Sequence, residues 1–376
     1  MTRGKTVTWL ATSTLAVVLA GACGSPTAEQ DAESATDAGA GAEVLQAVYD
    51  EVEGLEGKER RDKLIKMASE EGCELSFYTS TNVDESGPIT EAFTDETDID
   101  VSLYRAGSET IVQRVIQEAD ADFAGADVIG NNGPEMTIID SEGLLLPLET
   151  PYKEDIVEFG VFDNWVAQYL NVFVPAWNTD RISGEEVPKT WEEVLTYGEG
   201  LAMEAGDVDW FATLTKYFVE QGMSEEDAIN LFREAAKQSQ VVDGHTLMAE
   251  LLAAGEYDLT TSSYQHRIPQ LAKDGAPVAW EPAVEPAIVR PNGIGIHRDT
   301  DCPASALLFV EYSLTEGQEQ LIEFDRSPAS TKVQGGFPED VETILVDVEA
   351  LLQESDKWEG LYEEIIQGSG SEILED

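Results

Sequence analysis

Short apolar runs that stop abruptly in small polar residues recur along this chain. Residues 75–78 end in Thr79, Ser80, Thr81 and Asn82; residues 126–129 end in Gly130, Asn131, Asn132 and Gly133. Val241 and Val242 break into Asp243, Gly244, His245 and Thr246, and residues 257–261 open into Ser262, Ser263, Tyr264, Gln265 and His266. Each reads as a buried strand whose carboxyl end carries hydrogen-bonding side chains, the end at which ligands sit in open α/β sheets. Helical periodicity fills the gaps. Residues 108–118 are amphipathic through Ile111, Val112, Val115 and Ile116, with Ser108 as N-cap. Thr190 with Glu193 forms a capping pattern, and Ser224 precedes a run of early acids. Residues 88–94, 207–220, 246–254, 304–314, 317–324, 339–353 and 356–366 read as further helices, and 100–104 and 277–280 as strands. The β-α-β-α-β rhythm predicts an α/β fold with mainly parallel sheets.

Two stretches break that rhythm. Residues 166–174 are a long aromatic-rich apolar run ending in Pro175, Ala176, Trp177 and Asn178; residues 287–297 are apolar with Gly293 and Gly295 inside. The first is too long for one half-buried strand. A chain of 376 residues exceeds one ordinary core, so both runs are expected to cross between two lobes.

At the N-terminus, Arg3 and Lys5 precede an apolar run over 7–20, then Gly21, Ala22 and Cys23. This is the form of a secretory signal. Cys23 directly after Leu-Ala-Gly-Ala resembles a lipobox, which would make Cys23 the lipidated residue; the plainer alternative is an ordinary cut near Ala22. Residues 1–22 are thus expected to be a lipoprotein signal peptide and 23–43, poor in large apolar residues, a disordered tether. Helical pattern begins at Val44 and continues through Leu64, Ile65, Met67 and Ala68 to a stop at Gly72.

Charge narrows the function. The chain has 22 Lys+Arg against 75 Asp+Glu, a net −53; loss of residues 1–22 removes Arg3 and Lys5 and no acid, leaving −55. Such a surface repels nucleic acid. The acids recur on nearly every segment, which fits a surface adapted to high salt better than a cation sponge. Cys73 and Cys302 would sit in an oxidising compartment, where a disulfide is allowed. There is no Gly-x-Ser-x-Gly elbow and no His-Glu-x-x-His helix. His297-Arg298-Asp299 lacks the Asn of a kinase loop, since position 304 is Ala, and residues 95–100 lack the glycine and glutamate of a calcium loop. The three histidines, His245, His266 and His297, are widely scattered, which argues against a histidine metal site. An enzyme and an acidic surface protein are the rival classes; the missing motifs argue against the first and a closed two-lobed cleft against the second.

Several ordered blocks resemble the type II periplasmic solute-binding proteins, bacterial extracellular solute-binding family 1. They are residues 66–80, Ala126-Asp127-Val128, Gly143-Leu144-Leu145, the run from Val174 through Trp177-Asn178-Thr179 to Pro188-Lys189-Thr190-Trp191-Glu192, residues 253–280, Asn292-Gly293-Ile294-Gly295-Ile296 and 306–318. The resemblance is greatest to ferric-iron-type ABC-transporter lipoproteins. It implies a two-lobe α/β fold with two crossovers: an N-terminal helical segment at 44–72, lobe 1 at 73–173 plus 287–335, and lobe 2 at 174–286 plus 336–376. It implies a ligand cleft lined by Tyr78, Ser80, Thr81, Asn82, Asn131, Asn132, Trp177, Asn178, Asp243, Thr246, Ser263 and Tyr264, with Gly244 and His245 beside them. It implies a strand after the return crossover antiparallel to 74–78, which would bring Cys302 near Cys73. It further implies a monomer anchored outside the cytoplasmic membrane that serves an ABC permease, with no cofactor, no enzymatic activity and no nucleic-acid partner. Ferric binders of this branch carry an adjacent tyrosine pair, because phenolate suits a hard cation. Here Ser262-Ser263-Tyr264 offers one tyrosine. Fe³⁺ as cargo would need Tyr264 completed by Tyr78, Asp243 or a bound anion; thiamine, a phosphonate or a polyamine is the alternative cargo.

Overall fold

Alanine favours helix even where large apolar residues are missing, and the first helix runs Ser34–Val52, ten residues ahead of the expected start at Val44. The computed structural model describes residues 34–338 and 340–374. The signal segment, Cys23 and the tether as far as residue 33 lie outside the described residues. Intrachain contacts divide the chain after Asp37, and the account below concerns the unit Ala38–Asp376. No described helix is long and apolar enough to cross a membrane.

The strands are β1 (Leu75–Thr79), β2 (Val101–Arg105), β3 (Val128–Asn132), β4 (Trp165–Asn178), β5 (Leu201–Glu204), β6 (Ser239–Val242), β7 (Leu259–Tyr264), β8 (Val278–Ala279), β9 (Ala287–Ile296), β10 (Ser327–Pro328), β11 (Thr343–Leu345) and β12 (Ile373–Leu374). Nine of them form one path in the order β12-β6-β5-β7-β4-β9-β3-β1-β2, while β8 and β10 pair with β4 and β11 pairs with β9 off that path. At one end β2, β1 and β3 are parallel; at the other β7, β5, β6 and β12 are parallel. The two sets are joined by β4 and β9, antiparallel to each other from Trp165↔Gly295 to Phe173↔Ile288. The two long apolar runs are therefore the two crossovers. Every residue of β9, and all of β4 except Leu170, is buried. Gly293 is glycine because the Trp165 ring lies against it: a Cβ there would meet the ring at 2.3 Å.

The N-terminal helical segment is stapled to one side of this frame. Helix Gly57–Glu71 packs along helix Pro303–Leu314, with a buried Arg60–Glu311 ion pair at 2.7 Å. Glu71 caps the second helix, accepting from the backbone N–H of Ala304 and Ser305 at 2.6 and 3.0 Å. Cys73 and Cys302, between the two helices, are disulfide-bonded with Cα atoms 6.3 Å apart. Phe77 and Phe93 both pack on Phe309 beneath β1.

The C-terminal segment departs from its expected place. Residues 343–345, read as helix, are instead β11, which pairs in parallel with the start of β9. Helix Val348–Gln353 lies on helix Gly133–Ser141, whereas helix Ser355–Ser369 lies on helices Val208–Glu220 and Glu225–Ala236, and β12 pairs with β6. Residues 336–376, assigned by resemblance to lobe 2, thus touch both ends of the sheet path. The reason is packing: Val348 seats against Gly133, where a Cβ would come within 2.9 Å, and Trp358 and Tyr362 fill the far core beside Phe211.

Candidate functional site

Carboxyl ends of both parallel strand sets face one cavity of about 510 Å³. One wall carries Ser80, Asn82, Arg105, Ser108, Asn132 and Glu135; the other carries Glu204, Asp207, Asp243, His245, Thr246 and Tyr264; Tyr169, Asn171 and Arg290 from the crossovers lie between them with Arg326. Asn82 Nδ2 donates to Thr246 Oγ1 at 3.1 Å, a direct link between the walls. Gly244, at φ +97, turns the chain from β6 into helix His245–Ala254, a left-handed conformation that glycine adopts at little cost. Its N–H donates to Glu204 Oε1 at 3.0 Å, and Gly206 N–H donates to Oε2 at 2.6 Å.

The cavity is short of positive charge. Arg290, 5% exposed, pairs with Asp209 at 2.7 Å and donates to the Tyr264 hydroxyl at 2.5 Å. Arg326, 3% exposed, pairs with Glu85 at 2.6 Å and donates to Asn171 Oδ1 at 2.9 Å. Both guanidiniums are thereby neutralised. Arg105, bonded to Asn82, is left against Glu109, Glu135, Glu204, Asp207 and Asp243. Burial, with Asp209 nearby, pushes the Glu135 carboxyl up to about 7 against the pull of Arg290. Burial and then Asp207 raise Glu204. Burial works against a charged His245, yet Asp207, 2.9 Å from Nε2, outweighs it and holds the imidazole pKa above its usual value. The imidazole stacks on Tyr264 with centroids 4.0 Å apart.

Six of the residues expected at the cleft line this cavity: Ser80, Asn82, Asn132, Asp243, Thr246 and Tyr264. Six do not. Tyr78 points to the helix side of β1, where its hydroxyl donates to Glu118 at 3.2 Å beneath Arg114. Thr81 is buried and bonds the Tyr169 hydroxyl at 2.9 Å, so it supports the lining from behind. Asn131 donates to the Ser108 carbonyl. Ser263 is buried against Thr260 at 2.8 Å. Trp177 and Asn178 are at the wrong end of the crossover: β4 runs antiparallel to β7, so Phe173 pairs with Tyr264 while Trp177 pairs with Leu259, about 14 Å further along β4 at the rise of a strand. Asn178 instead donates to the Leu252 carbonyl at 2.9 Å. The pairing of Tyr78 with Tyr264 around a ferric ion is not assembled, and burial holds the Tyr264 phenol in its neutral form by raising its pKa. Ser108 is also displaced from its expected role. Gly107 is the N-cap, and Ser108 Oγ accepts from Asn132 Nδ2 at 2.6 Å.

Sequence reading missed Tyr169, Asn171, Arg290, Arg326, Glu135, Glu204 and Asp207. A signal existed for three of them. Polar residues at Tyr169, Asn171 and Arg290 interrupt runs that must be fully buried, and a buried polar group needs a partner or a ligand.

Residues 89–342 match the family model described as bacterial extracellular solute-binding protein. No curated protein matches in sequence. Among solved structures, iron-bound HitA from Pseudomonas aeruginosa superposes with a TM-score of 0.67 at 18% identity, over 78% of this chain and 99% of that one. AfuA from Actinobacillus pleuropneumoniae, with fructose-6-phosphate bound, gives 0.68 at 20% identity over 79% and 98%. MotA from A. tumefaciens B6, in complex with glucopine, gives 0.66 at 17% identity over 78% and 100%. The fold is the two-lobed type II periplasmic-binding-protein fold, and this chain belongs to the bacterial extracellular solute-binding proteins, the family that presents solutes to ABC importers.

Proposed function

We propose that this protein is a monomeric receptor, lipid-anchored through Cys23 outside the cytoplasmic membrane, that captures a small positively charged organic solute in the interlobe cavity for an ABC permease. The observation that carries this reading is the charge balance of the lining. Arg290 and Arg326 are already paired, and Glu135 and Glu204 are driven toward their neutral forms. A cationic solute restores the carboxylates to their charged form, and the aromatic ring of Tyr264 in the lining suits an organic cation. Thiamine and polyamines meet this requirement and a phosphonate does not. A ferric ion finds one phenol, held by Arg290, where phenolates are needed. Solute touching both walls favours the closed arrangement already tied by Asn82 and Thr246.

A thermal-shift screen in high salt with thiamine, spermidine, a phosphonate, a sugar and Fe³⁺ tests the reading. A cationic solute at about a hundred times its Kd is expected to add about 2.7 kcal/mol. The shift should vanish in Asp207→Asn. A shift with the phosphonate alone overturns the charge assignment, and no shift with any solute overturns the receptor reading. Cys23→Ser is expected to release the protein from membranes.

A further inference from the structure

We propose that Glu204, Asp207 and His245 form a site for one divalent transition-metal ion in the wall of the cavity. Each offers one ligand atom, and these atoms lie within 4.8 Å of one another. They come from three rigid places: Glu204 closes β5, Asp207 is the N-cap of helix Val208–Glu220, and His245 opens helix His245–Ala254. The sequence hides the set because only Glu204 and Asp207 are close along the chain, and His245 joins them through the register of β5 with β6.

Hydrogen bonding at the three residues favours an ion over a closed internal network. Asp207 is 1% exposed, yet its Oδ2 has no hydrogen-bond partner among the described residues. His245 Nε2 lies 2.9 Å from Asp207 Oδ1 but makes no hydrogen bond with it. Asp207 Oδ2 therefore remains open to a third partner, and an ion at the site would take the place of the proton that pairs Nε2 with Oδ1. The Glu204 oxygens each accept one backbone N–H, from Gly244 and Gly206, which fixes the carboxylate and leaves each oxygen a second lone pair. Stacking on Tyr264 fixes the imidazole plane. Fixed outer partners of this kind orient metal ligands. Two ligands on one ion sit about 3–3.5 Å apart, so a pair at the 4.8 Å limit has to close by about 1.5 Å, whereas His245 Nε2 and Asp207 Oδ1 are already 2.9 Å apart. One imidazole nitrogen with two carboxylates suits Zn²⁺, Co²⁺ or Mn²⁺ and not a hard ferric ion that needs phenolates. Three protein ligands leave coordination positions open toward the cavity.

This goes beyond the organic-solute reading and does not depend on it, although an organic cation and the metal would compete for the same carboxylates. The test is titration of the full mature chain with CoCl₂ in high NaCl and excess Mg²⁺, which occupies surface carboxylates. The readouts are visible d–d absorption and calorimetry. The expected result is one saturable Co²⁺ per chain, displaced by Zn²⁺, with affinity at least tenfold weaker in His245→Gln and in Asp207→Asn and unchanged in the surface variant Glu91→Gln. Proton NMR of the Co²⁺-loaded wild type should show one hyperfine-shifted, exchangeable imidazole N–H, a readout that needs no variant to fold. Absence of saturable binding, absence of that resonance, or equal binding in folded His245→Gln overturns the site. A failed solute screen with a successful cobalt titration leaves this inference standing and removes the organic-cation reading.

Discussion

Glu135 sits near the start of helix Gly133–Ser141 with Oε2 enclosed and without a hydrogen-bond partner among the described residues. Its carboxyl is raised from 4.5 to about 7, first by burial. The sign follows from linkage. The fold retains a proton that the unfolded chain releases, so this contribution to stability is complete below pH 4.5 and is lost as the pH rises through about 7. The shift corresponds to about 3 kcal/mol at most. Glu135→Gln is expected to flatten that part of the stability profile, measured by denaturant unfolding at pH 5 and pH 8 in constant salt. An unchanged slope would show that the carboxyl is solvated in solution. Arg326 poses the opposite case. Its removal leaves Glu85 buried without its cation, a loss of about 3–5 kcal/mol for a broken buried pair. Arg326→Met with Glu85→Leu should recover most of it; if the double variant is as unstable as the single, the damage is to packing and not to charge.

Elements explain what local reading found and lost. The Thr190 and Ser224 caps stand where the pattern placed them, each accepting from the N–H three residues on, because a cap is satisfied within one turn. Strands β5, β10, β11 and β12, of four residues or fewer, were invisible, because a strand that short becomes one only through its neighbours' hydrogen bonds. The Cys73–Cys302 bond joins elements 229 residues apart. Closing so long a loop restricts the unfolded chain by up to about 5 kcal/mol in the chain-entropy account. Cys73→Ser with Cys302→Ser is therefore expected to lower Tm clearly, and equal melting of reduced and oxidised wild type would contradict it.

Across the whole molecule, −53 charges share one surface. Self-repulsion reaches about 30 Å at 0.01 M salt and about 3 Å at 1 M. Tm is expected to climb steeply with NaCl, and a flat profile would remove the high-salt account of the composition. Lobe closure is a second property of this scale. The Asn82–Thr246 bond crosses the cavity and is worth about 1 kcal/mol. Asn82→Ala should enlarge the solute-free radius of gyration in scattering and weaken solute affinity up to about tenfold; unchanged scattering would place the solute-free protein already open.

Sequence alone determined the α/β class, the two crossovers and the polar strand ends, since each is written in local periodicity: strands alternate, helices repeat, and a buried crossover is a long, mostly apolar run. It also placed Ser80, Asn82 and Tyr264 at strand ends that face a shared space. Tertiary structure decided which face each residue presents. Thr81 follows Ser80 directly yet turns inward to the Tyr169 hydroxyl, Tyr78 lies within β1 short of its carboxyl end and is taken up by Glu118 and Arg114, and Trp177 is removed from the cavity by antiparallel register alone. The charged interior was decided there as well. Arg290, Arg326, Glu204 and Asp207 acquire meaning only through partners as much as 241 residues away, and no local pattern specifies a buried ion pair between distant segments.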